Sequence, residues 1–215
     1  MNQPLIFALA RGRLLDETVP LLTELGIEPT ESLTGSRKLM FETEHPGVKL
    51  LVLRAADVPP YVERGGAHLG IAGKDVLLEY GSDMLCEPVD LQLSKCRLMT
   101  AMKKGIELPA MGRIRVATKY VNVARRYFAS QGRQIDPIKL YGAMELAPLV
   151  GLVDVIVDVV DTGNTLKANG LEPRDLIDYS SARLIVSRVA MKTRHQHIFP
   201  MIEKLNKWAK SRDAS

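Results

Sequence analysis

An α/β fold with mostly parallel sheets is predicted by two features of the sequence. Short apolar, β-branched runs alternate with amphipathic stretches along the chain, and nearly every run ends in a turn bearing glycine, arginine or a carboxylate. Ligands of open α/β sheets bind where strands end, so those turns are the candidate sites.

Leu5 to Ala10 reads as the first strand and Arg11-Gly12-Arg13 as a turn. Leu15, Val19, Leu22 and Leu25 then form the apolar stripe of a helix that Gly26 ends. Ser36-Arg37-Lys38-Leu39 follows a loop containing Gly35, and Val48 to Leu53 is a buried-strand candidate with Arg54 at its carboxyl end. Asp57, followed by Pro59 and Pro60, reads as an N-cap with prolines in the first turn of a helix from Val58 to Arg64. Leu69 to Ala72 is a short strand, and Gly73-Lys74-Asp75 turns into a helix from Val76 to Tyr80.

Cys96 to Met102 and Ile114 to Thr118 read as strands, separated by a Lys103-Lys104-Gly105 turn and a loop from Pro109 to Gly112. Lys119-Tyr120 leads to a helix through Phe128. Ile138 to Tyr141 is the next strand, with Gly142 to Glu145 a turn into a helix around Leu146. The run Val153, Val155, Ile156, Val157, Val159, Val160 has the near-continuous apolar character of a strand buried on both faces. A small, hydroxyl-rich turn, Thr162-Gly163-Asn164-Thr165, then opens a short helix. Ser181 to Val189 returns as a strand, and Ile198, Ile202, Leu205 and Trp208 mark a last amphipathic helix. No internal repeat is visible.

Composition excludes several classes of function. Hydrophobic content of 46% with 25% charged residues is ordinary for a globular chain of 215 residues and argues against disorder. No apolar run reaches membrane-spanning length, and Met1-Asn2-Gln3-Pro4 leads into a strand rather than a signal peptide, so a cytoplasmic protein without membrane association is expected. Cys86 and Cys96 lack zinc-like spacing, so neither a disulfide framework nor a protein-bound metal is expected. The net charge of +4 is spread along the chain, and aromatic content of 5% leaves few stacking platforms, so nucleic acid is not an expected partner. Anionic small substrates account for the charge.

The most informative stretch is Asp158-Val-Val-Asp161-Thr162-Gly163-Asn164-Thr165. Backbone N–H groups at a turn into a helix lack intrahelical acceptors, Gly163 permits close backbone approach, and Thr162 and Thr165 offer hydroxyls, so a phosphate fits there. Carboxylates beside a phosphate repel it unless they hold something else. Ribose hydroxyls or a magnesium ion suit Asp158 and Asp161, and the pattern points to a sugar phosphate. Arg11 and Arg13 around Gly12 place two guanidinium forks at a strand-to-helix junction, which suits a polyphosphate; a charged, solvated turn is the plainer alternative. Glu145 fits either a contact to sugar hydroxyls or a surface residue at a helix start. Gly73-Lys74-Asp75 taken alone is equally well an ordinary turn.

These residues resemble those of the ATP phosphoribosyltransferase family, in its short form. The stretch from Asp158 to Leu171 is similar to that family's phosphoribosyl-pyrophosphate loop, and more weakly to the loop of purine-salvage phosphoribosyltransferases. The salvage loop carries two adjacent acids, where this chain has Val157 before Asp158. A-L-A-R-G-R-L is similar to the family's A-L-P-K-G-R-L with Ala10 and Arg11 in place of proline and lysine, and G-x-A-G-x-D around Gly73 and A-T-K-Y ending at Tyr120 resemble it as well.

The resemblance implies two lobes of periplasmic-binding-protein type with a cleft between them, lobe I being residues 1–91 plus 180–215 and lobe II residues 92–179. It implies transfer of phosphoribosyl from phosphoribosyl pyrophosphate to N1 of ATP, the first step of histidine biosynthesis, with Mg2+ carried in by the substrates. Arg13 and Arg37 are the expected catalytic residues, acting on the leaving pyrophosphate. ATP contacts are expected at Arg11, Arg13, Arg54, Gly73, Lys74 and Asp75, and ribose-phosphate contacts at Glu145, Asp158, Asp161, Thr162, Gly163, Asn164 and Thr165. The family's long form carries a histidine-binding regulatory domain, whereas this chain stops at Ser215. A histidyl-tRNA-synthetase-like regulatory subunit and a homodimer of this chain are therefore the expected assemblies. A phosphoribosyltransferase acting on a free base, or a non-catalytic small-ligand-binding module, are the rival expectations.

Overall fold

The computed structural model describes residues 3–108 and 112–213; most of the Pro109-to-Gly112 loop of the sequence reading lies outside them. The chain divides into two compact units, residues 1–94 with 181–215 and residues 95–180.

The first unit contains strands Leu5–Ala10 (β1), Met40–Glu42 (β2), Val48–Leu53 (β3), Leu69–Gly73 (β4) and Leu85–Asp90 (β5), and helices Arg13–Glu24 (α1), Val58–Glu63 (α2) and Lys74–Tyr80 (α3). The second unit contains strands Cys96–Lys103 (β6), Ile114–Thr118 (β7), Ile135–Lys139 (β8), Val155–Val160 (β9) and Leu171–Ser180 (β10), and helices Val121–Ser130 (α4), Leu146–Leu149 (α5) and Asn164–Ala168 (α6). Strand Ala182–Ser187 (β11) and helices Arg188–Thr193 (α7) and His195–Asp213 (α8) then complete the first unit.

In the first unit the strand order is β2-β3-β1-β4-β11-β5. Its centre, β3-β1-β4, is parallel, with Leu5 to Ala10 in register with Val48 to Leu53. Alternation along β1 divides the core between two faces. Phe7 and Leu9 join Leu22, Ile27, Leu184, Ile198 and Leu205 under α1 and α8, while Ala8 and Ala10 join Val58, Val62, Leu77 and Ile185 under α2 and α3. Gly70 sits where α2 crosses β4 closely, and a Cβ there would stand 2.8 Å from Val58 Cγ1.

In the second unit the order is β10-β6-β9-β7-β8, again with a parallel trio, β9-β7-β8, and antiparallel neighbours. Val155, Ile156 and Val157 of β9 are fully buried, as expected for a strand covered on both faces. Ile156 and Val160 pack with Ala147 and Leu166 from α5 and α6, while α4 lies against β7 and β8 on its own part of the sheet. At the opening end of β9, Asp154 takes hydrogen bonds from Arg115 Nη2 at 2.7 Å and from the Arg115 backbone N–H at 2.8 Å.

Several element boundaries differ from the sequence reading, each for a local reason. The last strand before Glu145 spans Ile135–Lys139 rather than Ile138 to Tyr141, because β8 is an edge strand and an edge tolerates Pro137. Helix α3 starts at Lys74, two residues early, with Gly73 extended as its cap. Asp57 is not a side-chain cap: it ends a 3-10 turn, Ala55–Asp57, that runs into α2.

Candidate active site

Apart from Arg37, the candidate residues lie at or beyond the carboxyl ends of strands. In the second unit, β9 delivers Asp158 near its carboxyl end, and Asp161 and Thr162 follow as the chain leaves the sheet. Gly163 then adopts φ 79° and ψ 4°, a left-handed conformation that costs glycine nothing and other residues a good deal. That turn brings the Asn164 N–H to 3.4 Å from Thr162 Oγ1, and the Lys167 N–H closes the first helical bond to Gly163 O at 3.1 Å. Helix α6 has five residues, so its dipole adds little, and the turn offers N–H groups and hydroxyls instead. Asp161, Thr162, Asn164 and Thr165 are all exposed.

Cations frame this loop that the sequence reading left without a role. Lys104 and Lys167 line an open pocket of about 450 Å3 together with Thr162, Gly163 and Asn164. Arg97 Nη2, from β6, lies 3.5 Å from the Asp161 carbonyl oxygen. Lys119 Nζ stands 3.5 Å from Asp158 Oδ1. The Lys119-Tyr120 dipeptide was legible as the exit of a strand, but the pairing of β7 with β9 was not, and that pairing brings Lys119 to Asp158.

Asp158 is the electrostatically distinctive member. Burial pushes its carboxyl above the ordinary aspartate range; Lys119 and the Val159 N–H pull it back, and the negative charge of Glu145 pushes it up again. Glu145, just ahead of α5, is thus brought close enough to Asp158 to be felt by it, and only partly exposed. No group of three His, Cys, Asp or Glu side chains that could hold a metal occurs among the described residues.

In the first unit, Arg11 follows β1, Gly12 at φ 93° makes the junction, and Arg13 opens α1. Arg13 Nε lies 3.7 Å from Glu17 Oε1 with its side chain 58% exposed, an ion pair loose enough to exchange for a phosphate. Arg54 is exposed after β3, and Arg37 is exposed in the loop before β2. Lys74 is differently placed, since its ammonium donates to both Glu87 carboxylate oxygens at 2.8 and 2.9 Å. The hollow lined by Leu5, His45, Arg194 and His197 lies at the opening ends of β1 and β3, away from all of these residues.

Fold and loop together define an α/β protein of the kind that binds ligands beyond the carboxyl ends of its strands. Residues 54–207 match the family model described as HisG, ATP phosphoribosyltransferase. A relative from Marinobacter nauticus bearing the name ATP phosphoribosyltransferase is 62% identical over 206 residues, 96% of either chain. One of the same name from Chromohalobacter salexigens is 58% identical over 212 residues, covering 99% of this chain and 98% of the other. Among solved structures, the ATP phosphoribosyl transferase HisG:HisZ complex from Thermotoga maritima gives a TM-score of 0.85 at 33% identity, covering 96% of this chain and 99% of that one. The chain belongs to the ATP phosphoribosyltransferase family.

Proposed function

We infer that the chain transfers the phosphoribosyl group of phosphoribosyl pyrophosphate to N1 of ATP, releasing pyrophosphate, as the first step of histidine biosynthesis. The observation that carries this is the left-handed Gly163 turn with Asp158 and Asp161 ahead of it: hydroxyl acceptors and phosphate donors lie within one loop at a strand's end. Family membership supplies the reaction.

The bond from ribose C1 to pyrophosphate oxygen breaks with its electron pair leaving on pyrophosphate, and adenine N1 donates its lone pair to C1. C1 becomes cation-like in between, so the largest help comes from charge stabilisation on the departing pyrophosphate. Arg13 and Arg37 supply it, their planar forks matching phosphate oxygens in pairs. Arg11, Arg13, Arg54, Gly73, Lys74 and Asp75 take ATP, with Lys74 exchanging Glu87 for phosphate. Asp158, Asp161 and Glu145 accept the ribose hydroxyls, and Thr162, Gly163, Asn164 and Thr165 hold the 5-phosphate. Adenine N1 is already a neutral nucleophile, so no strong base is required. Magnesium enters with the polyphosphates.

The Thermotoga relative is titled as a HisG:HisZ complex. That likeness supports a partner of the HisZ kind, which we take to be the histidyl-tRNA-synthetase-like regulatory subunit; a homodimer of this chain and a cytoplasmic location belong to the same proposal. Among the described residues no helix is long and apolar enough to cross a membrane. The test mixes the chain, with and without such a subunit, with ATP, phosphoribosyl pyrophosphate and magnesium, and follows the absorbance change of an N1-substituted adenine. Histidine should inhibit the complex and leave the isolated chain unaffected. Product from free adenine but not from ATP would move the chain to the free-base class, and binding without turnover in either assembly would make it a ligand-binding module.

A further inference from the structure

Lys119 owes its position to strand pairing. β7 and β9 are parallel neighbours with Thr118 opposite Val157, so the next residues, Lys119 and Asp158, come side by side where β7 ends. Thr118, fully buried, ties the two strands together. Its hydroxyl donates to Val157 O at 2.7 Å and accepts from the Tyr120 N–H at 2.8 Å, which turns the chain out of the sheet at Lys119. The ammonium then lies 3.5 Å from Asp158 Oδ1 and 4.9 Å from the centre of the buried Tyr120 ring, contacts that narrow its choice of rotamer.

Asp158 needs such a neighbour. Its side chain is only 19% exposed, and a carboxylate removed from water is costly without an opposite charge. Of the groups around it, Glu145 ahead of α5 repels the charge, Met99 opposite on β6 is neutral, and Arg97 reaches the Asp161 carbonyl instead. Among the described residues, Lys119 is the cation that faces it.

We propose that Lys119 is a positioning residue for phosphoribosyl transfer, holding and orienting the Asp158 carboxylate that accepts the ribose hydroxyls. This rests on the assignment of Asp158 to the ribose. Hydroxyls donate to a carboxylate with charge-assisted bonds, about twice as strong as bonds between neutral groups, so a lost or misdirected charge is felt in binding. Lys119 acts through Asp158 and touches no reacting atom.

The test compares Lys119→Met, Lys119→Gln, Lys119→Arg, Asp158→Asn and the double variant Lys119→Met/Asp158→Asn with the unaltered chain, each with the regulatory subunit, from about pH 5.5 to 9. In Lys119→Met and Lys119→Gln, KM for phosphoribosyl pyrophosphate should rise about tenfold and the acid limb of its kcat/KM should move up by about one pH unit. KM for ATP should stay within about twofold, Lys119→Arg should restore most of the loss, and the double variant should be no worse than Asp158→Asn alone. A lower melting temperature with an unmoved acid limb and an unchanged KM would reduce Lys119 to a structural ion pair and overturn the proposal. Additive losses in the double variant would do so too. If the unaltered complex makes no adduct, it is the functional reading that fails.

Discussion

Replacing Gly163 by alanine isolates one property of the phosphate turn. The residue stands at φ 79°, yet a Cβ built there has its nearest heavy atom, Val160 Cγ1, at 3.7 Å, an ordinary contact. Crowding therefore contributes little, and the penalty is conformational: about 1–2 kcal/mol for an L-residue held in this region. If the turn keeps its shape, a chain of this size should melt about 2–8 °C lower. If it relaxes instead, the melting temperature holds while the N–H groups of Asn164 and Thr165 leave the phosphate. Each charge-assisted bond lost then costs about 1.5–3 kcal/mol, a roughly ten- to hundredfold weaker affinity for phosphoribosyl pyrophosphate. Gly163→Asn should recover most of either loss, since asparagine visits this conformation more readily. Calorimetric titration with each substrate, beside a thermal melt, reads both branches. An alanine variant unchanged in melting temperature and in affinity, or one that loses ATP as strongly, would refute the reasoning.

Asp158→Asn should separate stability from activity. A carboxyl raised by burial contributes stability that is present below its unfolded value and lost as pH rises through the folded one, so the amide should melt at the same temperature or higher at pH 7 while turnover falls. Asp154 has the opposite sign, because hydrogen bonds from Arg115 hold it below the usual range. Its contribution is present above the unfolded value and lost as pH falls through the folded one, so the melting advantage over Asp154→Asn should shrink below about pH 4. Alanine at Arg13 or Arg37 should slow the chemical step about a hundred- to a thousandfold in single-turnover kinetics with saturating substrates, with lysine rescuing only partly; a normal chemical step would leave these arginines as substrate gatherers. Gly70→Ala should lose about 1–3 kcal/mol in urea unfolding, and a second change, Val58→Ala, should return part of it, because the added methyl falls 2.8 Å from Val58 Cγ1.

The parts of the fold that were legible are those whose burial leaves a chemical trace. β1, β3 and β9 are apolar because both faces are covered, and a run such as Val155 to Val160 would leave apolar side chains in water if either face were open. β10 left no such trace. It is an edge strand whose Pro173, Arg174 and Asp175 are exposed, and polar residues with a proline are what an unpaired edge accepts. The stretch from Asp158 to Thr165 was legible as a strand, a turn and a helix start because its geometry is local, strand end, left-handed Gly163 and helix following one another in sequence. Lys119 was not, since its importance comes from a neighbour in the sheet that sequence order does not reveal. Lys74 shows the converse: the motif marks it for ATP, and only the structure shows that it already holds Glu87.

The insertion of β11 between β4 and β5 sets an order of events during synthesis on the ribosome. Among the described residues β5 has no strand partner other than β11 in its sheet, and β5 ends at Asp90 whereas β11 begins at Ala182. Chains emerge at about 5–20 residues per second, so the first unit waits several seconds with β4 and β5 exposing unpaired edges. The second unit is continuous in sequence and can close in that interval. The returning segment then seats against Gly73 and Asp90, where Arg183 meets Asp90 at 2.9 Å and Ser181 Oγ meets it at 2.7 Å. Without that segment β4 and β5 would each keep an unpaired edge, and an open strand edge is a template for pairing with another chain.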